Sequence, residues 1–114
     1  MVETIVRNHL KSALDVPVLL EVPEKMPETF VLIEKTGASR ENYIDRATIA
    51  VQSWAASMYK AASLNDKVKK AMDSLPELPN VSRAALNSDY NHTDTSTKKY
   101  RYQAVYDLTY YEEE

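Results

Sequence analysis

The stretch from Lys99 to Tyr110 alternates with a period of two. Tyr100, Tyr102, Ala104, Tyr106, Leu108 and Tyr110 fall on one side, and Arg101, Gln103, Val105, Asp107 and Thr109 on the other. Alternation of this kind is the pattern of a β-strand with one buried face. At about 3.4 Å per residue, the run from Tyr100 to Tyr110 spans roughly 35 Å, which is long for a strand in a small domain. A strand of that length needs neighbours along its whole course, and the rest of the chain must supply them.

The chain has 114 residues, enough for one core and one domain, 1–114. With 44% hydrophobic and 27% charged residues, the composition is that of an ordinary soluble globular domain. The absence of cysteine excludes disulfides and thiolate chemistry. No apolar run approaches the ~20 residues that cross a bilayer, so no membrane partner is expected. The opening residues, Met1 to His9, lack the basic start and apolar stretch of a signal peptide. A net charge of −3 argues against wholesale nucleic-acid binding. The single glycine, Gly37, cannot build a phosphate-cradling loop, which requires several.

From Val2 to Leu14, the residues Val2, Ile5, Val6, Leu10 and Leu14 recur at helical spacing, and Asp15 and Pro17 end the helix. His9 lies beside that stripe and reads as a boundary residue. Val18 to Val22 reads as a short strand held between Pro17 and Pro23. Thr29 to Thr36 is apolar on both faces over Phe30–Ile33, the pattern of a strand buried on both sides. Gly37 is expected to end it at a turn requiring positive φ. Ala38 to Ile44 then reads as a polar loop longer than a tight hairpin needs. Asp45 to Trp54 follows as the antiparallel partner strand, with Ala47, Ile49 and Val51 on its apolar side.

Ser57 is placed to cap a second helix, in which Met58, Ala61, Leu64, Val68, Met72 and Leu75 recur at three- and four-residue intervals up to Pro76. Its outward lysines, Lys60, Lys67 and Lys70, read as a solvated face rather than a nucleic-acid patch. Its methionines read as core filler. Val81 to Tyr90 is a fourth strand, with Ala84, Leu86, Ser88 and Tyr90 expected on one side. Asn91 to Lys98 is a polar connection without apolar residues. The order helix, three strands, helix, two strands predicts an α+β domain. Two helices pack on one face of a mostly antiparallel, about five-stranded sheet. The other face carries Arg46, Thr48, Gln52, Arg101, Gln103, Asp107 and Thr109, available to solvent, a channel or another subunit.

No catalytic arrangement emerges. The sequence has no zinc-binding His-Glu-x-x-His helix, nucleophile elbow, Walker loop or dinucleotide fingerprint. His92 with Asp89 and Asp94 matches no standard metal spacing. No enzyme activity, metal or cofactor is therefore expected.

Several stretches together resemble the tail terminator (tail completion) proteins of long-tailed, non-contractile bacteriophages. They are Asp15–Pro23, Pro27–Gly37, Asp45–Ala55, the helix after the Ala-Ser linker, and Arg101–Thr109. The resemblance covers nearly the whole chain in the right order, and each piece alone reads as strand pattern. It implies a small α+β subunit that forms a six-membered ring on the finished tail tube, stops its polymerisation and joins it to the head. The implied partners are further copies of itself, the tail tube protein and a head-neck connector protein, with DNA only as cargo through the ring. The implied location is the virion, at the head–tail joint, after assembly in the host cytoplasm. The family uses no cofactor and performs no catalysis. A closed ring needs two different complementary patches on each subunit. The candidates are Arg40, Glu41, Asn42 and Tyr43 in the first loop, and Asn91, His92, Thr93 and Lys98 in the second. Three rival readings stand beside this one. One is a head-completion or neck protein on the portal side, another a small ligand-binding α+β domain using the tyrosines and His92, and the third a nucleic-acid binder using the Lys60–Lys70 helix face.

Overall fold

The computed structural model of the protein describes residues 1–94, 96–97 and 99–111. The final strand is the second-innermost member of its sheet, β5 (Tyr100–Tyr110), flanked by β3 (Ile44–Ala55) and β4 (Val81–Asn91). Beyond β3 lies β2 (Phe30–Glu41), and beyond β2 the two-residue β1 (Val18–Leu19), giving the order β1-β2-β3-β5-β4. The β1–β2 pair is parallel and all others are antiparallel. Two helices, α1 (Val2–Ala13) and α2 (Met58–Asp73), complete the α+β architecture. No helix among the described residues is long and apolar enough to cross a membrane.

Both helices lie on one face of the sheet. Val2, Val6 and Leu10 of α1 and Leu64, Val68 and Met72 of α2 share one buried cluster with Val31, Ile33, Ile49, Val51, Ala104, Tyr106 and Leu108. Those strand residues are the inward-pointing alternates of β2, β3 and β5, as the period-two pattern requires. The cap on α2 forms as expected, with Ser57 Oγ accepting from the Lys60 amide at 3.2 Å. The helix closes at Asp73, and Leu75–Glu77 tightens into a 3₁₀ turn that keeps Leu75 fully buried. His9 staples α1 to the end of α2, its Nε2 lying 2.9 Å from both the Ala71 carbonyl and Ser74 Oγ.

Three local expectations give way. The strand expected over Val18 to Val22 pairs only at Val18–Leu19, after which the chain leaves the sheet edge. Met26 then packs against Phe30, Leu32 and Trp54 on the face away from the helices. Gly37 does not end β2, which continues to Glu41 through an irregularity between Lys35 and Gly37, and no glycine takes a positive φ. The expected Ala38–Ile44 loop is instead paired strand closed by a two-residue turn. Asn42 and Tyr43 sit at φ 52° and 67°, the left-handed pair that matches the twist of a tight hairpin. Polar composition suggested a loop, but the neighbouring strand offers hydrogen bonds that polar residues accept as readily as apolar ones.

A fourth correction is in β4, where Ala84, Leu86, Ser88 and Tyr90 do not share a side. An irregularity between Leu86 and Ser88 inserts one residue. Ala84 and Leu86 therefore pair with the core-facing Leu108 and Tyr106, whereas Ser88 and Tyr90 pair with Val105 and Gln103 on the opposite face. One extra residue reverses every later side chain.

Candidate functional site

The two segments singled out in the sequence lie at opposite ends of the sheet. β3 runs from Asp45 beside Tyr110 to Ala55 beside Tyr100, so the β2–β3 turn stands at the end where β5 finishes. β4 runs from Val81 beside Tyr110 to Asn91 beside Tyr102, which puts the β4–β5 connection at the end where β5 begins. The longest dimension of the molecule is 45 Å, so the two segments do not form one site.

The β2–β3 end is braced and carries one uncommitted aromatic. Arg40 pairs with the buried carboxylate of Asp45, Nε to Oδ1 at 3.1 Å, with a second contact from Nη2 to Oδ2 at 3.4 Å. Glu41 meets Arg46 loosely at 3.9 Å. Asn42 supplies the first left-handed residue, a conformation its short amide side chain tolerates. Tyr43 follows in the same region, where a bulky residue is uncommon, and its side chain is 87% exposed. Of the four candidates here, Arg40 and Asn42 build the hairpin, and Tyr43 is the side chain left to meet something else.

The β4–β5 end is satisfied from within. Asn91 Oδ1 accepts from the Thr93 amide at 3.0 Å. The His92 backbone both donates to the Arg101 carbonyl and accepts from the Arg101 guanidinium. Its ring stands edge-on to Tyr90, with centroids 5.7 Å apart. The Thr93 hydroxyl accepts from the Arg101 amide at 3.0 Å. Asp94 Oδ1 gathers both the amide and the hydroxyl of Ser96, and these hydrogen bonds lower its carboxyl below the usual value. The fourth candidate of this group, Lys98, lies outside the described residues. Asp89 points away from His92, towards Asn65 at 2.7 Å and Lys69 at 2.6 Å under α2. No three His, Cys, Asp or Glu side chains among the described residues group as metal ligands.

The tyrosines from Tyr100 to Tyr111 sit in different surroundings, Tyr100 and Tyr102 being half-buried. Tyr106 and Tyr110 are buried in the core, and Tyr111 is exposed. Burial, and then the nearby Asp73 carboxylate, push the Tyr106 phenol well above its usual range, and its hydroxyl donates towards the Lys69 carbonyl and Asp73. On α2, Lys60, Lys67 and Lys70 are exposed, whereas Lys69 is held between Asp89 and Asp66. The hydrogen bond and charge of Asp89 raise the Lys69 amine above its usual value.

The uncovered face of the sheet carries order that sequence reasoning did not find. Phe30 stacks on Trp54 with centroids 5.2 Å apart, and the Arg101 guanidinium lies 4.6 Å above the Trp54 ring. Next to them, Leu32, Gln52, Gln103 and Tyr90 form one row across four strands. Trp54 donates to Gln52, Gln52 to Gln103 and Gln103 to the Tyr90 hydroxyl. A second row places Arg46, Thr109 and Arg83 side by side on β3, β5 and β4. Each residue carries its polarity in the sequence, but the rows exist only once the register is set. Compared with family models and with curated proteins, the chain matches none of either.

Proposed function

We propose that the protein is a structural virion component that caps the head-proximal end of a phage tail tube as a ring of identical subunits, without enzymatic activity. The resemblance of five segments, in order, to tail terminator proteins supports this reading. The single structural observation that supports it best is the placement of two unlike surfaces at opposite ends of one rigid sheet. A head-to-tail ring requires two different patches per subunit, whereas a two-fold dimer uses the same patch twice. Tyr43 is the natural anchor at one end, since exposed aromatics on rigid turns dominate interface energies.

Electron microscopy of particles from a phage with this gene disrupted tests the reading. Overlong, headless tails are the expected result. Tails of normal length beside DNA-filled heads would move the protein to the neck, and intact virions would remove it from the head–tail joint altogether.

A point variant addresses the anchor. Replacing Arg40 is a poor choice, because it strands the buried Asp45 carboxylate. Tyr43→Gly relieves the left-handed strain and should raise stability by about 1 kcal/mol. It should also weaken subunit association, read by sedimentation. A variant that is both stabler and fully assembled would show that Tyr43 anchors nothing.

A further inference from the structure

Gly37, the chain's single glycine, follows the irregularity in β2, yet neither its backbone angle nor its surroundings demand a glycine there. Its φ is not positive, and a Cβ built on it would meet nothing within 4 Å. A glycine inside a strand sacrifices both conformational entropy and a side chain that could pack. A glycine inside a strand marks a bulge or a place where something approaches the backbone closely, and the open space above Gly37 suits the second role as well as the first. Above it lies a groove of about 360 Å³ on the uncovered face, lined by Gly37, Arg46, Thr48, Arg83, Asp107 and Thr109.

The groove has a defined charge pattern. Arg46 and Arg83 both pair in register with Thr109, so their Cα atoms lie two strands, or about 10 Å, apart. The Arg83 side chain makes no hydrogen bond or ion pair among the described residues, and the Arg46 side chain meets only Glu41 at 3.9 Å. Asp107 on the floor is held by Thr48 at 3.0 Å and Asn87 at 2.9 Å. The sheet thus sets the two arginines side by side at one end of the groove, Arg83 with its side-chain donors free among the described residues and Arg46 held only by the loose contact to Glu41, so that both can turn their fork-shaped donors to a carboxylate.

We propose that this groove is a docking site for an extended segment of another protein, whose backbone passes over Gly37 and whose acidic side chain reaches between Arg46 and Arg83. Asp107 in the floor decides against a polyanion such as nucleic acid, because successive phosphates would meet its carboxylate as well as the arginines. A peptide with a single carboxylate at one end of the contact avoids that repulsion. The groove adjoins the β2–β3 end of the sheet, since Arg46 and Thr109 lie next to Asp45 and Tyr110 along their strands, but the proposal does not depend on the tail-capping reading.

The test is a titration of the isotope-labelled full chain with a synthetic Thr-rich peptide carrying a single Glu, followed by backbone and arginine-side-chain NMR shifts. Saturable shifts confined to Gly37, Thr48, Thr109 and the two guanidiniums are expected. Arg46→Ala and Arg83→Ala should each weaken binding by about tenfold, the loss of one charge-assisted hydrogen bond. Gly37→Val should abolish binding while leaving the thermal midpoint unchanged or higher, because open space and a β-branched residue both suit the strand. Three results would overturn the proposal: no shifts at millimolar peptide, equal shifts with oligothymidylate or inorganic phosphate, or self-association of the chain that blocks the groove. Should Gly37→Val unfold the protein, the glycine is structural and that part of the argument is lost, while the arginine variants still decide the ligand.

Discussion

The two faces of the sheet are made by the same strands, often by adjacent residues, yet they are organised by different forces. Ile49 is fully buried under the helices, whereas its neighbour Thr48 donates a hydrogen bond to Asp107 on the uncovered face. The helix-covered face is held by apolar burial, which is strong and tolerant of direction. The uncovered face depends on rows of directed contacts, such as Phe30–Trp54–Arg101 and Gln52–Gln103–Tyr90, which contribute less energy but need the register to be right. Stability therefore resides on one face, and the surface arranged to meet partners lies on the other and at the ends.

The sharpest test of this division compares neighbours. Ile49→Ala should cost about 3–4 kcal/mol, the transfer loss plus the cavity under α2. Thr48→Ala, one residue away, should cost about 1 kcal/mol or less, since it removes one exposed hydrogen bond. Urea denaturation measures both, and similar losses would erase the distinction between the faces.

Trp54→Ala should fall between them, at about 2–3 kcal/mol, because Trp54 is buried by Phe30, Leu32 and Arg101 rather than by a helix. A cost near zero would mean that the aromatic patch is held in place by the fold and does not contribute to it.

A last effect is read by pH. The Tyr106 phenol is raised in the folded protein above its unfolded value near 10, so its contribution is complete below pH 10. Above that, the unfolded chain loses the proton first, and stability falls by about 1.4 kcal/mol per pH unit. The raised Lys69 amine adds a loss of the same sign above pH 10.5. Tyr106→Phe should flatten the decline between pH 10 and 11 while leaving the lysine contribution. An unchanged slope would assign the alkaline loss to Lys69 and other groups.

Much of the covered face could be read in the chain. The helical stripes of α1 and α2 and the alternation of β3 and β5 are local periodicities, and a face that must be buried is written residue by residue. Where a local rule met a tertiary one, the tertiary rule prevailed. Gly37 signalled a turn, but the ladder to β3 carried the strand through it to Asn42 and Tyr43. Ser88 and Tyr90 were expected beside Ala84, but one inserted residue in β4 turned them to the other face. Arg40, Glu41, Asn42 and Tyr43 were singled out for a loop that is in fact a braced hairpin, and only Tyr43 remains uncommitted. Asn91, His92 and Thr93 were singled out as part of a long polar connection, and their polar groups are largely spent on one another and on Arg101.

The sequence alone determined which residues seek burial and hence the class of fold, because hydrophobic periodicity is a property of consecutive residues. Only the tertiary structure decided that Arg46, Thr109 and Arg83 share a row and that the two candidate loops stand at opposite ends. Register and strand order depend on pairings between residues tens of positions apart, and no local pattern encodes them.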